Sequence, residues 1–210
     1  ASGLGAQVEF VTVAGSDEAR DYAQNAFKKS GVNAHLIVDE SRPTTIKQKF
    51  RSKGKSLLRV NHLHQDAINS SLQDKISKII ESVIQDVDLL VFSDFNYGCL
   101  PQLLVDKLIK LANANNVMLA ADSQSSSQIG DISRFRGVNL ITPTEREARI
   151  SSRNHEDGLV VLAQQLKKLS STDHIFLKMG EEGMLIYSGN TNSNELLTDT
   201  ISALNTSPRD

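Results

Sequence analysis

Neither sign of charge predominates in these 210 residues, and no apolar stretch is long. The formal net charge is -2, and the 23 basic residues are scattered among 25 acidic ones. Such a chain has no field to steer a polyanion, so a nucleic-acid partner is not expected. No apolar run approaches the length of a membrane span, and the first residues show no basic-then-apolar signal pattern, so a membrane partner is not expected either. Cys99 is the only cysteine. That excludes an internal disulfide framework, suits a reducing compartment, and makes the cytoplasm the expected location. There is no internal repeat, and the serine-rich stretch 123–127 is too short to count as low complexity.

What is present is a foldable core. Hydrophobic residues make up 39% and charged residues 23%, within the range of one large soluble domain spanning 1–210. Both ends read as incomplete. Residues 1–5 run almost directly into an apolar strand at 8–13, and Ser207-Pro208-Arg209-Asp210 is a turn-like tail, so a fragment is expected, a naturally short chain being the alternative.

Between the ends, strand and helix patterns alternate. Strand 8–13 leads through Ala14-Gly15-Ser16-Asp17 into helix 17–30, with Asp17 as N-cap candidate and Gly31 as C-cap. Strand 34–38 follows, then two β-type runs at 44–51 and 56–62 around Lys53-Gly54, which read as a hairpin. Amphipathic helix 71–85 precedes strand 87–92, whose unbroken apolar run suits burial on both faces. Helix 101–115, strand 117–121, a short helix near 131–135 and strand 139–141 come next. Helices 144–151 and 156–169, then strand 174–179 paired with 184–187, complete the series. This order predicts an α/β fold with a mostly parallel, doubly wound sheet covered by helices.

In such sheets ligands gather beyond the carboxyl ends of the strands. That places attention on Ser93-Asp94-Phe95-Asn96-Tyr97-Gly98, Asp122-Ser123-Gln124, Thr142-Pro143-Thr144-Glu145-Arg146-Glu147 and Gly180-Glu181-Glu182-Gly183. Each is polar, acidic or glycine-bearing where its strand is apolar.

These segments, in this order, resemble the signatures of PfkB (ribokinase-type) carbohydrate kinases, and within them the heptose 7-phosphate kinase branch, the kinase half of the ADP-heptose synthesis protein. Val13-Ala14-Gly15-Ser16-Asp17 with Gly31-Val32 resembles the "V-G-x-D … G-V" opening, and Pro43-Thr44-Thr45-Ile46-Lys47 resembles the "P-T-T-x-K" hairpin. Ser93-Asp94-Phe95 through Gly98 resembles "S-D-Y-x-K-G", Thr142-Pro143 with Glu147 resembles "T-P-N-x-x-E", and Gly180 to Met184 resembles "T-x-G-x-x-G-M". The resemblance implies a ribokinase-like fold with 44–62 as a lid-type hairpin. It implies an ATP-dependent kinase acting on a sugar phosphate, heptose 7-phosphate among the candidates, with ATP and magnesium as cofactors. Thr45, Lys47 and Asp94 would contact the sugar. Thr144, Lys178, Gly180, Glu181 and Gly183 would line the nucleotide site, and Glu147 would act through water on magnesium. A homodimer through the lid hairpin is also allowed.

The departures are specific. Thr144 stands where the family has Asn, Tyr97 where Lys is usual, Ser123-Gln124 where Pro-Lys is usual, and Lys178 where Thr is usual. No Gly-x-Gly-Asp occurs in these residues. In the family that segment supplies an anion hole and the base toward the sugar hydroxyl, and phosphoryl transfer depends on such positioned groups. Catalysis by these residues alone is therefore not expected. A kinase-like protein that binds a nucleotide or a partner without turnover is the second reading.

Each candidate also has a purely structural explanation. Asp94 and Asp122 could satisfy turn amides. Glu147, in a helix's first turn, would be favoured by the helix dipole without any ligand. A turn alone accounts for Gly180 and Gly183, and a solvated basic sheet edge for Lys47, Lys49 and Arg51. His62 and His64 have no Cys or suitably spaced acidic partner for a metal site and read as surface histidines.

Overall fold

The computed structural model describes residues 1–53, 55–125, 130–189 and 196–204; Gly54, residues 126–127 of the serine-rich stretch and the 207–210 tail lie outside them. The chain divides into two compact units, one made of Ala1–Val83 with Tyr97–Pro101 and the other of Ile84–Asn96 with Gln102–Arg209.

In the first unit β1 (Val8–Ala14) pairs in parallel with β2 (Val32–Val38), from Val8 opposite Val32 to Ala14 opposite Val38. The crossover is α1 (Glu18–Lys29). Its start is fixed by Asp17, whose carboxylate accepts from the Arg20 amide at 3.0 Å, and acidic Glu18 and Asp21 in the first turn suit the dipole. Phe27 of α1 meets Phe10 of β1 with ring centroids 4.8 Å apart. Helix α2 (Ser70–Val83) packs on the same two strands, burying Leu72, Ile76 and Ile80 at i, i+4 spacing. Asn69 caps it, accepting from the Leu72 amide at 3.0 Å.

The remaining element of this unit is the hairpin of β3 (Ile46–Ser52) and β4 (Lys55–His62), antiparallel, with a register shift at Phe50/Arg51. Pairs such as Phe50–Leu58 put apolar side chains on one face, while Lys47, Lys49, Arg51 and Arg59 share the other.

The second unit holds a six-stranded sheet in the order β10-β9-β8-β7-β6-β5. Strands β5 (Leu89–Asp94), β6 (Met118–Ser123), β7 (Leu140–Ile141) and β8 (His174–Lys178) are parallel. Strands β9 (Met184–Gly189) and β10 (Leu196–Ile201) are antiparallel additions. The mostly parallel α/β sheet expected from the sequence is what forms; β10 was not expected. Helix α3 (Gln102–Ala114) packs on β6, and α5 (Leu159–Ser170) on β8 and β9 with α4 (Glu145–Ser152) beside it. Leu104, Leu119, Ile141, Leu162, Leu166, Ile175 and Leu177 are fully buried, each stabilising by about 1.5–3 kcal/mol relative to exposure.

One expectation is corrected. The apolar run 87–92 is buried on one face only: Phe92 is 2% exposed, whereas Leu89 and Val91 are 49% and 52% exposed. Exposure alternates along β5, with Leu89, Val91 and Ser93 open and Phe92 and Asp94 buried, so the apolar run does not mark burial on both faces. The short helix near 131–135 is one 3-10 turn, Ile132–Arg134.

Candidate functional site

In the second unit the ends of β6, β7 and β8 are tied together by side chains. Thr144 begins α4 with a full capping box: the Glu147 amide donates to the Thr144 hydroxyl at 3.3 Å, and the Thr144 amide donates to Glu147 Oε2 at 2.8 Å. The other oxygen of Glu147, Oε1, accepts from the Ser125 amide at 3.0 Å, tying the loop after β6 to α4. Glu147 is thus buried with both oxygens engaged by backbone.

Beside this box, Lys178 at the end of β8 donates to Asp122 Oδ1 at 2.7 Å, and the Thr142 hydroxyl donates to the same oxygen at 2.8 Å. The Lys178 amide in turn donates to the Pro143 carbonyl at 2.8 Å, and Thr144 bridges to Lys178 in parallel. An open cleft of about 650 Å³ lies beside these groups, lined by Thr144, Glu145, Arg146, Arg149, Ile150, His155, Lys178, Met179 and Gly180. Gly183 closes the Gly180–Glu182 turn; its φ of 98° favours glycine, and a Cβ there would run into the Ile201 carbonyl. Glu181 is exposed on this turn.

Asp94 has a different setting. Its Oδ2 accepts from Arg134 Nη2 at 2.7 Å and from the Ser123 hydroxyl at 3.3 Å, and its Oδ1 accepts from the Asn96 amide at 2.9 Å. At 4% exposure it anchors the left-handed turn at Asn96, φ 59°. The geometry is that of the turn-satisfying role weighed for it from sequence.

In the first unit, the residues leading into the hairpin are held by the opening motif. Asp17 accepts from the Thr44 amide at 2.8 Å as well as capping α1, and the Gly15 amide donates to the Thr44 hydroxyl at 2.9 Å. A Cβ on Gly15 would lie 2.7 Å from both the Arg42 carbonyl and the Thr44 amide, which explains the glycine. The bonds from Thr44, side chain first, together with the Arg20 amide, hold the Asp17 carboxyl below its ordinary pKa.

Arg42 is buried and donates three ways: to Asp39 at 2.6 Å, to the Tyr97 carbonyl at 3.2 Å and to the Asp66 carbonyl at 3.0 Å. Arg42 therefore ties the two feet of the hairpin to each other and to the Tyr97 carbonyl. Burial alone would raise the Asp39 carboxyl, but Ser41 and Arg42 together outweigh it and hold that pKa low. Thr45 and Lys47 are exposed on the hairpin, with Lys47 Nζ 5.7 Å from the centre of the Tyr97 ring.

Thr144, Glu147, Lys178, Gly180 and Gly183 thus fall at neighbouring strand ends of one unit, while Thr45 and Lys47 belong to the other. Sequence reading did not single out Arg146, Arg149 and His155 as cleft residues, nor Asp122 as the partner of Lys178. Arg146 sits inside the Thr142–Glu147 segment, and its position there was the available signal.

The profile described as pfkB family carbohydrate kinase matches residues 1–204. The chain belongs to that family. Among curated relatives, bifunctional protein HldE of Helicobacter hepaticus is 28% identical over 191 residues, covering 89% of this chain and 39% of that protein. HldE of Pseudomonas aeruginosa is 32% identical over 185 residues, covering 87% of this chain and 37% of that protein. The chain therefore spans less than two-fifths of the curated relatives it matches. Among solved structures, ribokinase from Giardia lamblia superposes with a TM-score of 0.70 over 92% of this chain and 59% of that one, at 18% identity. Phosphofructokinase-2 from Escherichia coli gives 0.71 over 100% and 66%, at 12% identity. These likenesses show the ribokinase-like fold.

No helix among the described residues is long and apolar enough to cross a membrane. Among them, no group of three or more His, Cys, Asp or Glu side chains is placed to hold a metal ion. Direct magnesium ligation by Glu147 is a poor fit, since both its oxygens already accept amide bonds. Each oxygen keeps a second lone pair, however, and magnesium commonly retains its waters, so contact through a bound water fits the donor set.

Proposed function

We propose that this chain carries the binding scaffold of an ATP-dependent carbohydrate kinase whose acceptor is a sugar phosphate, heptose 7-phosphate being the first candidate. The observation that carries this reading is that Thr144 and Lys178 line one cleft, with Glu147 bonded to the Thr144 amide behind it, within a chain of the pfkB family. The curated HldE relatives, at 28% and 32% identity, support the sugar class.

In this reading the cleft holds the nucleotide phosphates. The start of α4 offers its positive end, the capping box keeps Glu147 fixed behind it, and Lys178 supplies a cation. Glu147 would hold magnesium through water, and the ion would offset phosphate charge when bound. The turn Gly180–Glu182 with Gly183 shapes the rim. On the hairpin, Thr45 and Lys47 serve the sugar phosphate, with Lys49, Arg51 and Arg59 making that face cationic. Asp94 supports this arrangement by fixing its turn rather than by reaching out. The opposite, apolar face of the hairpin exposes Phe50 and Leu58 at 50% and 56%, which supports pairing of two copies there.

These residues bind and orient; no proton transfer in the reaction is assigned to them. The test is calorimetric titration of this chain with ATP and magnesium, then with heptose 7-phosphate and other sugar phosphates. Binding of both ligand classes is expected. Heat from neither would sink the reading, and nucleotide binding with no response to any sugar phosphate would favour a kinase-like binding protein.

A further inference from the structure

The cleft over β7 and β8 contains more positive charge than its family motif positions account for. Of the basic groups on its wall, Arg149 is occupied: its guanidinium pairs with Glu145 at 2.8 Å and donates to the carbonyls of Asn154 and Asp157. That pair also neutralises Glu145, the carboxylate in the lining. Arg146, the next residue, is exposed and pairs with no described residue. Lys178 has one carboxylate partner, Asp122, in a pair whose side chains are 42% and 30% exposed. A pair so open to water is weak, and its lysine can be drawn to a stronger anion. Gly180 at the lip has open space where a side chain would stand.

We infer that Arg146 and Lys178 are the polyphosphate-binding cations of this cleft, with Lys178 leaving Asp122 for the bound anion. The inference rests on the nucleotide reading above and deepens it, since it says which groups recognise the phosphates. The chemistry favours the exchange. A triphosphate concentrates several negative charges and many acceptor oxygens, against one charge on Asp122. Arginine presents a planar fork to phosphate and lysine a compact ammonium, so the two cover adjacent phosphate groups in different ways. A volume of about 650 Å³ is ample for a triphosphate with part of a nucleoside. Asp122 then competes with the anion for Lys178, and removing its charge should strengthen binding.

The experiment is calorimetric titration of the chain and of R146Q, K178M, the double variant and D122N with ATP, adenosine and tripolyphosphate, thermal melts confirming that each variant is folded. ATP affinity is expected to fall about tenfold for each cation removed. D122N is expected to tighten ATP about threefold, the size of an exposed ion pair. Adenosine affinity should not change, and tripolyphosphate should bind the wild type and not the double variant. Equal ATP affinity in the wild type and double variant overturns the assignment while leaving the nucleotide reading in place. Weaker ATP binding by D122N also overturns the exchange. Tripolyphosphate bound through the two cations without ATP binding would keep the anion site and remove the nucleotide reading. A wild type that binds neither removes both.

Discussion

Lys178 Nζ and Asp122 Oδ1 stand 2.7 Å apart at the ends of β8 and β6, two strands separated in the sheet by β7. The Thr142 hydroxyl, from the end of β7, donates to the same oxygen and completes a bridge across three strand ends. Because this lysine is 42% exposed, the pair adds little to folding. Replacing Lys178 by Thr, the residue usual in the family, should change stability by less than about 1 kcal/mol. Denaturant titration checks this; a much larger loss would make the pair a structural element rather than a poised one.

Glu147 is the opposite case. Its carboxylate satisfies the amides of Thr144 and Ser125 while buried, so E147A leaves two backbone donors without a partner and removes half of the capping box. The expected cost is about 2–4 kcal/mol, read from the urea midpoint at unchanged slope. T144N should be nearly neutral by the same measurement, because asparagine caps helices as well as threonine does.

The fold was legible where local chemistry agreed with the tertiary arrangement. Asp17 before α1, Thr144 before α4 and the apolar runs of β6 and β8 each carry their own signal. β10 carries none: Leu196–Ile201 alternates poorly and takes its strand form from pairing with β9. The run at β5 reads as doubly buried because periodicity reports apolarity, not whether an element lies on the second face. At the candidate site, family motifs brought Thr144, Glu147 and Gly180 to notice. The pairing of Lys178 with Asp122 spans 56 positions, and that of Arg134 with Asp94 spans 40, so neither is visible without the sheet order. Asp94 illustrates the limit in the other direction. Its strand-end position suits a ligand, yet three internal donors engage its carboxylate.

Gly183 gives a steric prediction. Its φ of 98° and ψ of -127° disfavour any side chain, and a Cβ would meet the backbone that follows β10. G183A should therefore cost about 2 kcal/mol or more, or displace β10 from the sheet. Hydrogen exchange separates the two outcomes, since displacement would selectively deprotect the amides of β9 and β10 that pair with each other.

The buried pair of Arg42 and Asp39 should govern how the first unit responds to acid. Folding holds the carboxyls of Asp39 and Asp17 below the ordinary aspartate value, so the folded protein binds fewer protons than the unfolded chain as pH approaches that value. Their contribution is complete above the unfolded value of about 4 and is lost as pH falls through the lower folded values. In R42M, Asp39 keeps its bonds to Ser41 but loses the cation that offsets its burial. At pH 7 the variant should be less stable by about 3–5 kcal/mol, the cost of leaving a buried charge without its partner. Its Asp39 pKa moves up, so protonation relieves the buried charge and the gap to the wild type narrows as pH falls toward 4. Parallel denaturation curves from pH 7 to pH 3 test this. A gap that stays constant across that range would show that Arg42 acts only by fastening Tyr97 and Asp66, without electrostatic work on Asp39.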